Sequence, residues 1–247
     1  MHAATQRKRS LAILVADGYL DVLVLCHLCT IIMEKTPGKL ELILSYFADF
    51  TPLQMKQFEA LDELYRDWNS KINIISRKDI DGLYEKHVLH SLSIAAVFEF
   101  PKDAHVIDIG TGGGFPGIPL AIFFPEVNFH LVDSIGKKLK IVDAVTEAID
   151  LKNVTTQHTR AEEIKNRKFD YVVSRAVAPL KDLWTWGKPL LKKHGAGKAP
   201  GSGLICLKGG DLAQEISDSG VKPRITDIHQ IFATDYFKEK FLLHVPI

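Results

Sequence analysis

The spacing of apolar and polar positions divides the chain into a helical segment followed by alternating strands and helices. Residues 51–68 carry apolar side chains on one helical face, and Thr51-Pro52 is a typical helix start because proline is favoured at the first helical position. A second apolar stripe predicts a helix over residues 79–98. We interpret residues 41–100 as a small helical unit.

Beyond residue 101 the pattern changes to short apolar runs separated by amphipathic stretches. The runs predict five strands, followed by a terminal antiparallel pair over residues 225–232 and 241–245. Alternating strands and helices are typical of a parallel sheet with helices on both faces. We therefore predict one α/β domain over residues 101–247, with its first five strands at residues 105–109, 128–132, 153–158, 169–174 and 204–207.

A glycine-rich turn joins the first predicted strand to its helix, in the stretch AHVIDIGTGGGFPGIPLA over residues 104–121. Glycines such as Gly110 and Gly112 let backbone amides approach a ligand with no side chain in between. The second strand ends in Asp133, which a parallel sheet places at the same edge. The pattern therefore predicts a site for a nucleotide-like cofactor at the carboxyl end of the first strand.

Two cofactor classes fit this turn. Residues 112–117 match GxGxxG, and Asp133 follows at the next strand end, as in dinucleotide sites. Asp108 favours S-adenosylmethionine instead, because a carboxylate there opposes a pyrophosphate but suits a sulfonium and an ammonium. The two oxygens of Asp133 would suit two ribose hydroxyls. Both carboxylates could also simply cap a turn or a helix, so these residues alone leave the alternatives open.

Several segments of this chain resemble the RsmG/GidB family, bacterial enzymes that methylate N7 of a guanine in small-subunit (16S) ribosomal RNA. The resemblance covers about residues 41–210 and implies a Rossmann-like methyltransferase fold, with S-adenosylmethionine as the methyl donor. It implies 16S ribosomal RNA or a small-subunit assembly particle as the partner, in the cytoplasm. The matching segments are DIGTGGGFPGIPLA from Asp108, LVDSIGKK from Leu131, RAEE from Arg160, FDYVVSRA from Phe169 and LKG from Leu207.

The resemblance also assigns site residues position by position. It implies that Gly110 and Phe115 belong to the cofactor-binding turn and that Ala161 and Glu162 flank the adenine. Arg175 is implied to line the donor pocket, although a salt bridge to Asp108 or Asp170 is the structural alternative. Together with the residues singled out above, the predicted cofactor-binding set is Asp108, Gly110, Gly112, Phe115, Asp133, Ala161, Glu162 and Arg175.

The chain departs from the family pattern in three places. His90 stands where the family usually has aspartate, the loop over residues 194–203 is longer, and the first forty residues have no counterpart. We interpret residues 1–40 as a dispensable extension. Its apolar run is interrupted by Asp17 and Asp21, and a central aspartate costs about 3 kcal/mol on membrane insertion, so we predict no membrane anchor.

The amino-acid composition adds little to these predictions of fold and site. With 31 basic and 30 acidic residues the net charge is +1, so any contact with RNA must come from a local patch. Three cysteines do not suggest a disulfide framework, and Cys26-His27-Leu28-Cys29 has no second ligand pair, so we predict no metal site. Candidate phosphate contacts are Lys71, Arg77, Lys78, Lys137, Lys138, Lys181 and Lys208.

Guanine N7 has a free lone pair and no proton, so we predict no general base and name no catalytic residue. Three other functions stay open from the sequence. The chain could methylate another RNA, a protein or a small molecule; it could be a ribosome-assembly binding protein without activity; or it could be a nicotinamide-dependent dehydrogenase.

Overall fold

The computed structural model describes residues 39–72, 74–76, 79–175, 177–192 and 201–247. The predicted extension over residues 1–40, with its Cys26 and Cys29 pair, lies almost entirely outside these ranges. None of the helices in the described ranges is long and apolar enough to cross a membrane.

The amino-terminal part of the described chain is helical, as predicted. Helix α2 begins with a capping box, because the Thr51 hydroxyl accepts from the Gln54 backbone N–H at 3.2 Å and the Gln54 side chain accepts from the Thr51 N–H at 2.9 Å. The second predicted helix is present, but its first half is wound as a π-helix, which periodicity alone does not reveal. The elements are α1 (Lys39–Leu44), α2 (Pro52–Lys71), a 3₁₀ turn (Ile80–Gly82), the π-helix (Leu83–Leu89) and α3 (His90–Val97).

The remaining elements form a seven-stranded sheet in the order β3-β2-β1-β4-β5-β7-β6. The first five strands are parallel, which confirms the predicted α/β arrangement, and chain order reverses between β1 and β4. The elements are β1 (His105–Ile109), α4 (Gly117–Phe123), β2 (Asn128–Asp133), α5 (Gly136–Ala148), β3 (Val154–His158), β4 (Tyr171–Arg175), α6 (Leu180–Gly187), β5 (Gly203–Gly209), α7 (Ala213–Ser219), β6 (Arg224–Asp227) and β7 (Lys240–Pro246).

The two last strands form the predicted antiparallel pair, but with a different arrangement. Strand β7 lies between β5 and β6 and is antiparallel to both. Residues 228–230, predicted to extend the strand, form a 3₁₀ turn capped by the Asp227 carboxylate. The pattern alone shows two paired strands and cannot show which of them joins the central sheet.

Buried amides connect the helical part to the sheet part. Nε2 of Gln54 donates to the carbonyls of Ile122 and Phe123 at 2.9 and 3.2 Å, and Nε2 of Gln57 donates to the carbonyl of Ile149 at 2.9 Å. These carbonyls lie at the carboxyl ends of α4 and α5, where helices have no internal donors left. Residues 39–247 accordingly group into one compact unit. The boundary near residue 100 stays a sequence-based interpretation.

Candidate functional site

The glycine turn between β1 and α4 forms the centre of the candidate site. Gly110, Gly112 and Gly114 have φ angles of +69°, +59° and +98°, in the left-handed region that favours glycine. A Cβ atom on Gly110 would also lie 2.8 Å from Cγ1 of Val177. The N–H groups of Gly110 and Thr111 donate to the Val132 carbonyl at 2.9 and 3.0 Å, which ties the turn to the end of β2.

Asp133, the last residue of β2, is held on both oxygens by backbone. Its Oδ2 accepts from the Gly112 N–H at 2.9 Å, and its Oδ1 accepts from the Ile135 N–H at 2.8 Å. Each carboxylate oxygen has two lone pairs, so each retains one acceptor position. A carboxylate fixed in this way can accept hydrogen bonds from two adjacent hydroxyl groups.

A cavity of about 390 Å³ opens at this edge of the sheet, a volume typical of small-molecule sites. Four of the eight predicted cofactor-binding residues line it: Gly110, Asp133, Ala161 and Glu162. They come from the ends of β1, β2 and β3, because parallel strands end at one edge. The sequence did not predict that Trp186, Val177, Ile135 and Lys138 line this cavity, although all four do.

A larger depression of about 800 Å³ lies at the amino ends of the strands. Aromatic side chains such as Phe98 and Phe124 line it, together with Lys102 and Glu126, which pair at 2.6 Å. None of the eight predicted site residues lines this depression. Ligands of open parallel sheets bind at the carboxyl ends of strands, so we assign the candidate site to the smaller cavity.

Asp108 does not line the cavity. The residue is fully buried, and its Oδ2 accepts from the Thr111 hydroxyl at 2.7 Å and from the Gly117 N–H at 2.9 Å. Its Oδ1 is buried without a hydrogen-bond partner, and burial raises the pKa of this carboxyl to about 7. Asp108 therefore joins the start of the turn to α4, which corresponds to the capping alternative raised from the sequence.

Phe115 and Arg175 lie on the opposite side of the turn, against the helical unit. The Phe115 ring is 3% exposed and has its centroid 4.9 Å from that of Tyr65 and 5.2 Å from that of His87. The Arg175 guanidinium lies 5.2 Å from the Phe115 centroid, in cation–π contact. The structure thus places these two predicted residues beside the turn, and neither lines the cavity.

Arg175 is paired with neutral acceptors. Its Nη1 donates to the Lys86 carbonyl at 3.0 Å, and its Nη2 donates to Nδ1 of His87 at 2.8 Å. Neither suggested salt bridge forms, since Asp170 pairs with Lys192 at 2.8 Å and Asp108 is bonded as described. Within the described ranges no carboxylate lies within 4 Å of this guanidinium, and burial lowers the pKa of Arg175.

Lys208 is not available as a phosphate contact, which corrects the set of basic residues predicted from the sequence. Its Nζ pairs with Oε1 of Glu215 at 2.6 Å and also donates to the Ala178 carbonyl. The same Glu215 oxygen accepts from the Leu180 N–H at 2.7 Å. This lysine therefore holds the segment between β4 and α6 in place.

The other predicted phosphate contacts divide into three groups. Lys71 is exposed and forms an ion pair with Asp67 at 2.7 Å. Lys137 and Lys181 are exposed, and Lys138 lines the cavity. Arg77 and Lys78 fall outside the described residues. Of the described residues in this set, Lys138 is the one that lines the cavity.

No group of three or more potential metal ligands occurs in the described part of the chain. Cys206 lies buried in β5, where burial raises the pKa of its thiol to about 12. His90, the departure from the family pattern, is also buried, with its ring near those of Tyr236 and Phe237.

The parallel sheet with a terminal antiparallel pair, a glycine turn after β1 and an acidic residue after β2 define the class: a Rossmann-like fold of the S-adenosylmethionine-dependent methyltransferases. A crystal structure of an MtNAS mutant in complex with S-adenosylmethionine is similar in fold, with a TM-score of 0.52 and 15% sequence identity. The match covers 78% of this chain and 72% of that one.

Residues 54–237 match the family model for GidB, described as rRNA small subunit methyltransferase G. A protein named ribosomal RNA small subunit methyltransferase G from Phocaeicola vulgatus is 56% identical over 208 residues, which cover 84% of this chain and 99% of that protein. A protein of the same name from Flavobacterium psychrophilum is 52% identical over 84% of this chain and 98% of its own length. The chain belongs to the rRNA small subunit methyltransferase G (GidB) family.

Proposed function

We propose that this protein transfers a methyl group from S-adenosylmethionine to N7 of a guanine in 16S ribosomal RNA. The observation that carries the proposal is the 390 Å³ cavity, in which Asp133 offers two free acceptor positions beside the glycine turn. Membership of the family supports the reaction and the RNA substrate. When bound, S-adenosylmethionine supplies an electrophilic methyl group on a sulfonium.

The residues present fit this cofactor at both of its ends. Asp133 suits the ribose hydroxyls, and Ala161, Glu162 and Trp186 form a wall that suits an adenine. Arg175 is a partly buried cation whose hydrogen-bond partners are a carbonyl and an imidazole. A charge removed from water is costly without a counter-charge, so the carboxylate of the methionine moiety is a fitting partner for Arg175.

The chain supplies alignment in place of acid–base chemistry. N7 attacks through its own lone pair and loses no proton, so the protein needs to hold N7 in line with the methyl carbon at about 3–3.5 Å. Val177 and Ile135 are 45% and 49% exposed at the cavity wall. Their apolar surfaces suit contact with a planar base at the entrance.

Lysines at the starts of α5 and α6 suit an RNA partner. Lys137 lies at the start of α5 and Lys181 at the start of α6, and Lys138 faces the cavity. Cations of this kind bind phosphates and carry no sequence information. Because N7 lies in the deep major groove of A-form RNA, we propose a guanine in a loop or in an incompletely assembled small subunit.

Labelled methyl donor, incubated with the purified protein and 16S ribosomal RNA, tests the proposal. We expect label in the RNA and, by mass analysis of nuclease fragments, one 7-methylguanine. Lys137→Glu combined with Lys181→Glu should reduce the transfer at least about tenfold at physiological salt. Lys222→Glu is the control, since this exposed lysine precedes β6 at the amino edge of the sheet. Label in protein alone, or binding of NADH in preference to S-adenosylmethionine, would overturn the proposal.

A further inference from the structure

The π-helix places two consecutive residues against the arginine at the end of β4. The Lys86 carbonyl accepts from one terminal nitrogen of the Arg175 guanidinium at 3.0 Å, and Nδ1 of His87 accepts from the other at 2.8 Å. Segments of π-helix inside longer helices occur frequently at functional sites. Both terminal nitrogens of this guanidinium are therefore fixed by one turn of the helical unit.

His87 is held in the form that can accept this hydrogen bond. Burial and the neighbouring Arg175 cation lower the pKa of the imidazole to about 3, so the ring is neutral near pH 7. In a neutral ring one nitrogen accepts and the other carries the proton, and the bond from Arg175 assigns acceptance to Nδ1. The Phe115 ring, with its centroid 5.2 Å from that of His87, limits ring movement on one side.

Contacts with the described residues use two of the five N–H groups of Arg175. The Lys86 carbonyl also accepts from the Tyr236 hydroxyl at 3.1 Å, so this acceptor is itself held from a second element. A guanidinium fixed by two neutral acceptors keeps its charge available to an anion. The arrangement holds Arg175 in place and leaves its remaining donors for a ligand.

We propose that His87 is a positioning residue, which holds the Arg175 guanidinium so that its remaining N–H groups meet the carboxylate of the methyl donor. The inference rests on the proposed function, since it takes S-adenosylmethionine as the ligand. It assigns to the helical unit a part in cofactor binding, through a residue outside the cavity wall. His87 acts through Arg175 and touches no reacting atom.

Calorimetric titration with two ligands separates this role from packing. S-Adenosylmethionine has the carboxylate, and decarboxylated S-adenosylmethionine lacks it but retains the sulfonium and the adenosine. We expect His87→Leu to weaken binding of S-adenosylmethionine about tenfold, the range for a hydrogen bond to a charged group, and to change binding of the decarboxylated ligand less than about twofold. A packing defect would weaken both ligands equally.

Two amide variants, His87→Asn and His87→Gln, test the inference if His87→Leu is poorly folded. His87→Asn places an acceptor close to the position of Nδ1 and should restore S-adenosylmethionine affinity to within about threefold of the wild type. His87→Gln moves the acceptor one bond further out and should remain weakened. His90→Leu is the matched control on the same continuous helix, since His90 makes no hydrogen bond to Arg175, and it should bind both ligands as the wild type does.

A double variant completes the design. If His87 acts through Arg175, adding His87→Leu to Arg175→Ala should weaken S-adenosylmethionine binding no further. Equal loss for both ligands, wild-type affinity in His87→Leu, or additive losses in the double variant would overturn the inference. A wild-type protein that binds neither ligand would instead overturn the proposed function.

Discussion

The two sides of the glycine turn differ in charge and in the origin of their residues. On the cavity side, Asp133 presents a carboxylate with free acceptor positions, and the wall is formed by residues at the carboxyl ends of parallel strands and by side chains of α5 and α6. On the helical side, Arg175 is a partly buried cation held by a carbonyl and an imidazole from the helical unit. The glycine turn therefore lies between a negatively charged environment at Asp133 and a positively charged one at Arg175.

A ligand with a diol at one end and an amino-acid group at the other can use both environments. Asp133 accepts hydrogen bonds, whereas Arg175 donates them. The glycine turn lies between the two residues and contacts both through Gly112 and Phe115.

Asp133→Ala should have the largest effect, because it removes the diol acceptor and leaves the N–H groups of Gly112 and Ile135 unpaired. We expect S-adenosylmethionine affinity to fall at least about 100-fold, corresponding to about 2.7 kcal/mol, measured by calorimetry. Asp143→Ala is the control, since this exposed α5 carboxylate accepts from the Thr156 hydroxyl, away from the cavity. A loss below about threefold in Asp133→Ala would contradict the cavity assignment.

Asp108→Asn should change how stability depends on pH. The pKa of Asp108 is about 7 when folded, against an ordinary value of 3.8, because burial favours the neutral form. The stabilisation is therefore complete below about pH 4 and is lost as the pH rises through 7, where the buried group becomes charged near the Asp133 carboxylate. Melting temperatures at pH 5 and pH 8 should show the wild type losing at least about 2 °C relative to the variant.

The comparison between the wild type and Asp108→Asn controls for the other titrating groups, since histidines and exposed carboxylates are common to both proteins. A constant difference between the two melting temperatures across this pH range would show that Asp108 is not the titrating group. Such a result would also weaken the contrast between Asp108, which is fully buried, and Asp133, which lines the cavity.

Tyr65→Phe should affect the folding stability of the protein more than it affects ligand binding in the cavity. The Tyr65 hydroxyl donates to the Gly113 carbonyl at 2.6 Å from helix α2, so the variant removes a buried hydrogen bond between the helical part and the turn. We expect a loss of about 1 kcal/mol in the free energy of unfolding, measured in urea with an unchanged m-value. Tyr46→Phe, at a residue 37% exposed, should change stability by less than half of that. Equal losses would mean that the turn is not held from α2.

Replacing Trp186 should have the smallest energetic effect of these changes. The fluorescence of Trp186 should report ligand binding. Trp186 lines the cavity, whereas Trp184, on the same helix, lies near the Lys188 ammonium at 5.6 Å. We expect S-adenosylmethionine to change the tryptophan emission of the wild type and of Trp184→Phe, but not of Trp186→Phe. An emission change that persists in Trp186→Phe would place the ligand away from the adenine wall proposed here.

Residues at the ends of parallel strands were predictable from the sequence. Asp133 ends β2, which carries a clear apolar run, Ala161 and Glu162 come shortly after β3, and parallel topology brings these strand ends to one edge. Strand β1 was predicted with its observed limits. The family resemblance added the adenine assignment for Ala161 and Glu162, which stays a proposal.

Contacts between distant segments were not predictable. Asp108 is buried because it lies one residue inside the end of β1, and strand periodicity does not show which end residues face a ligand. The partner of Arg175 depends on the π-helical winding of Leu83–Leu89, which an apolar stripe does not distinguish from an α-helix. Lys208 was predicted to contact phosphate, but the fold places Glu215 next to it, and the two side chains form an ion pair.

The glutamine contacts of α2 bear on how the protein can be divided. Gln54 and Gln57 complete the carboxyl ends of α4 and α5, two helices that flank the sheet. A fragment beginning at residue 101 would expose these carbonyls and lose the partners of Arg175. Separately expressed halves should therefore regain ligand binding only when mixed, and a gene split at this boundary would serve as a complementation reporter.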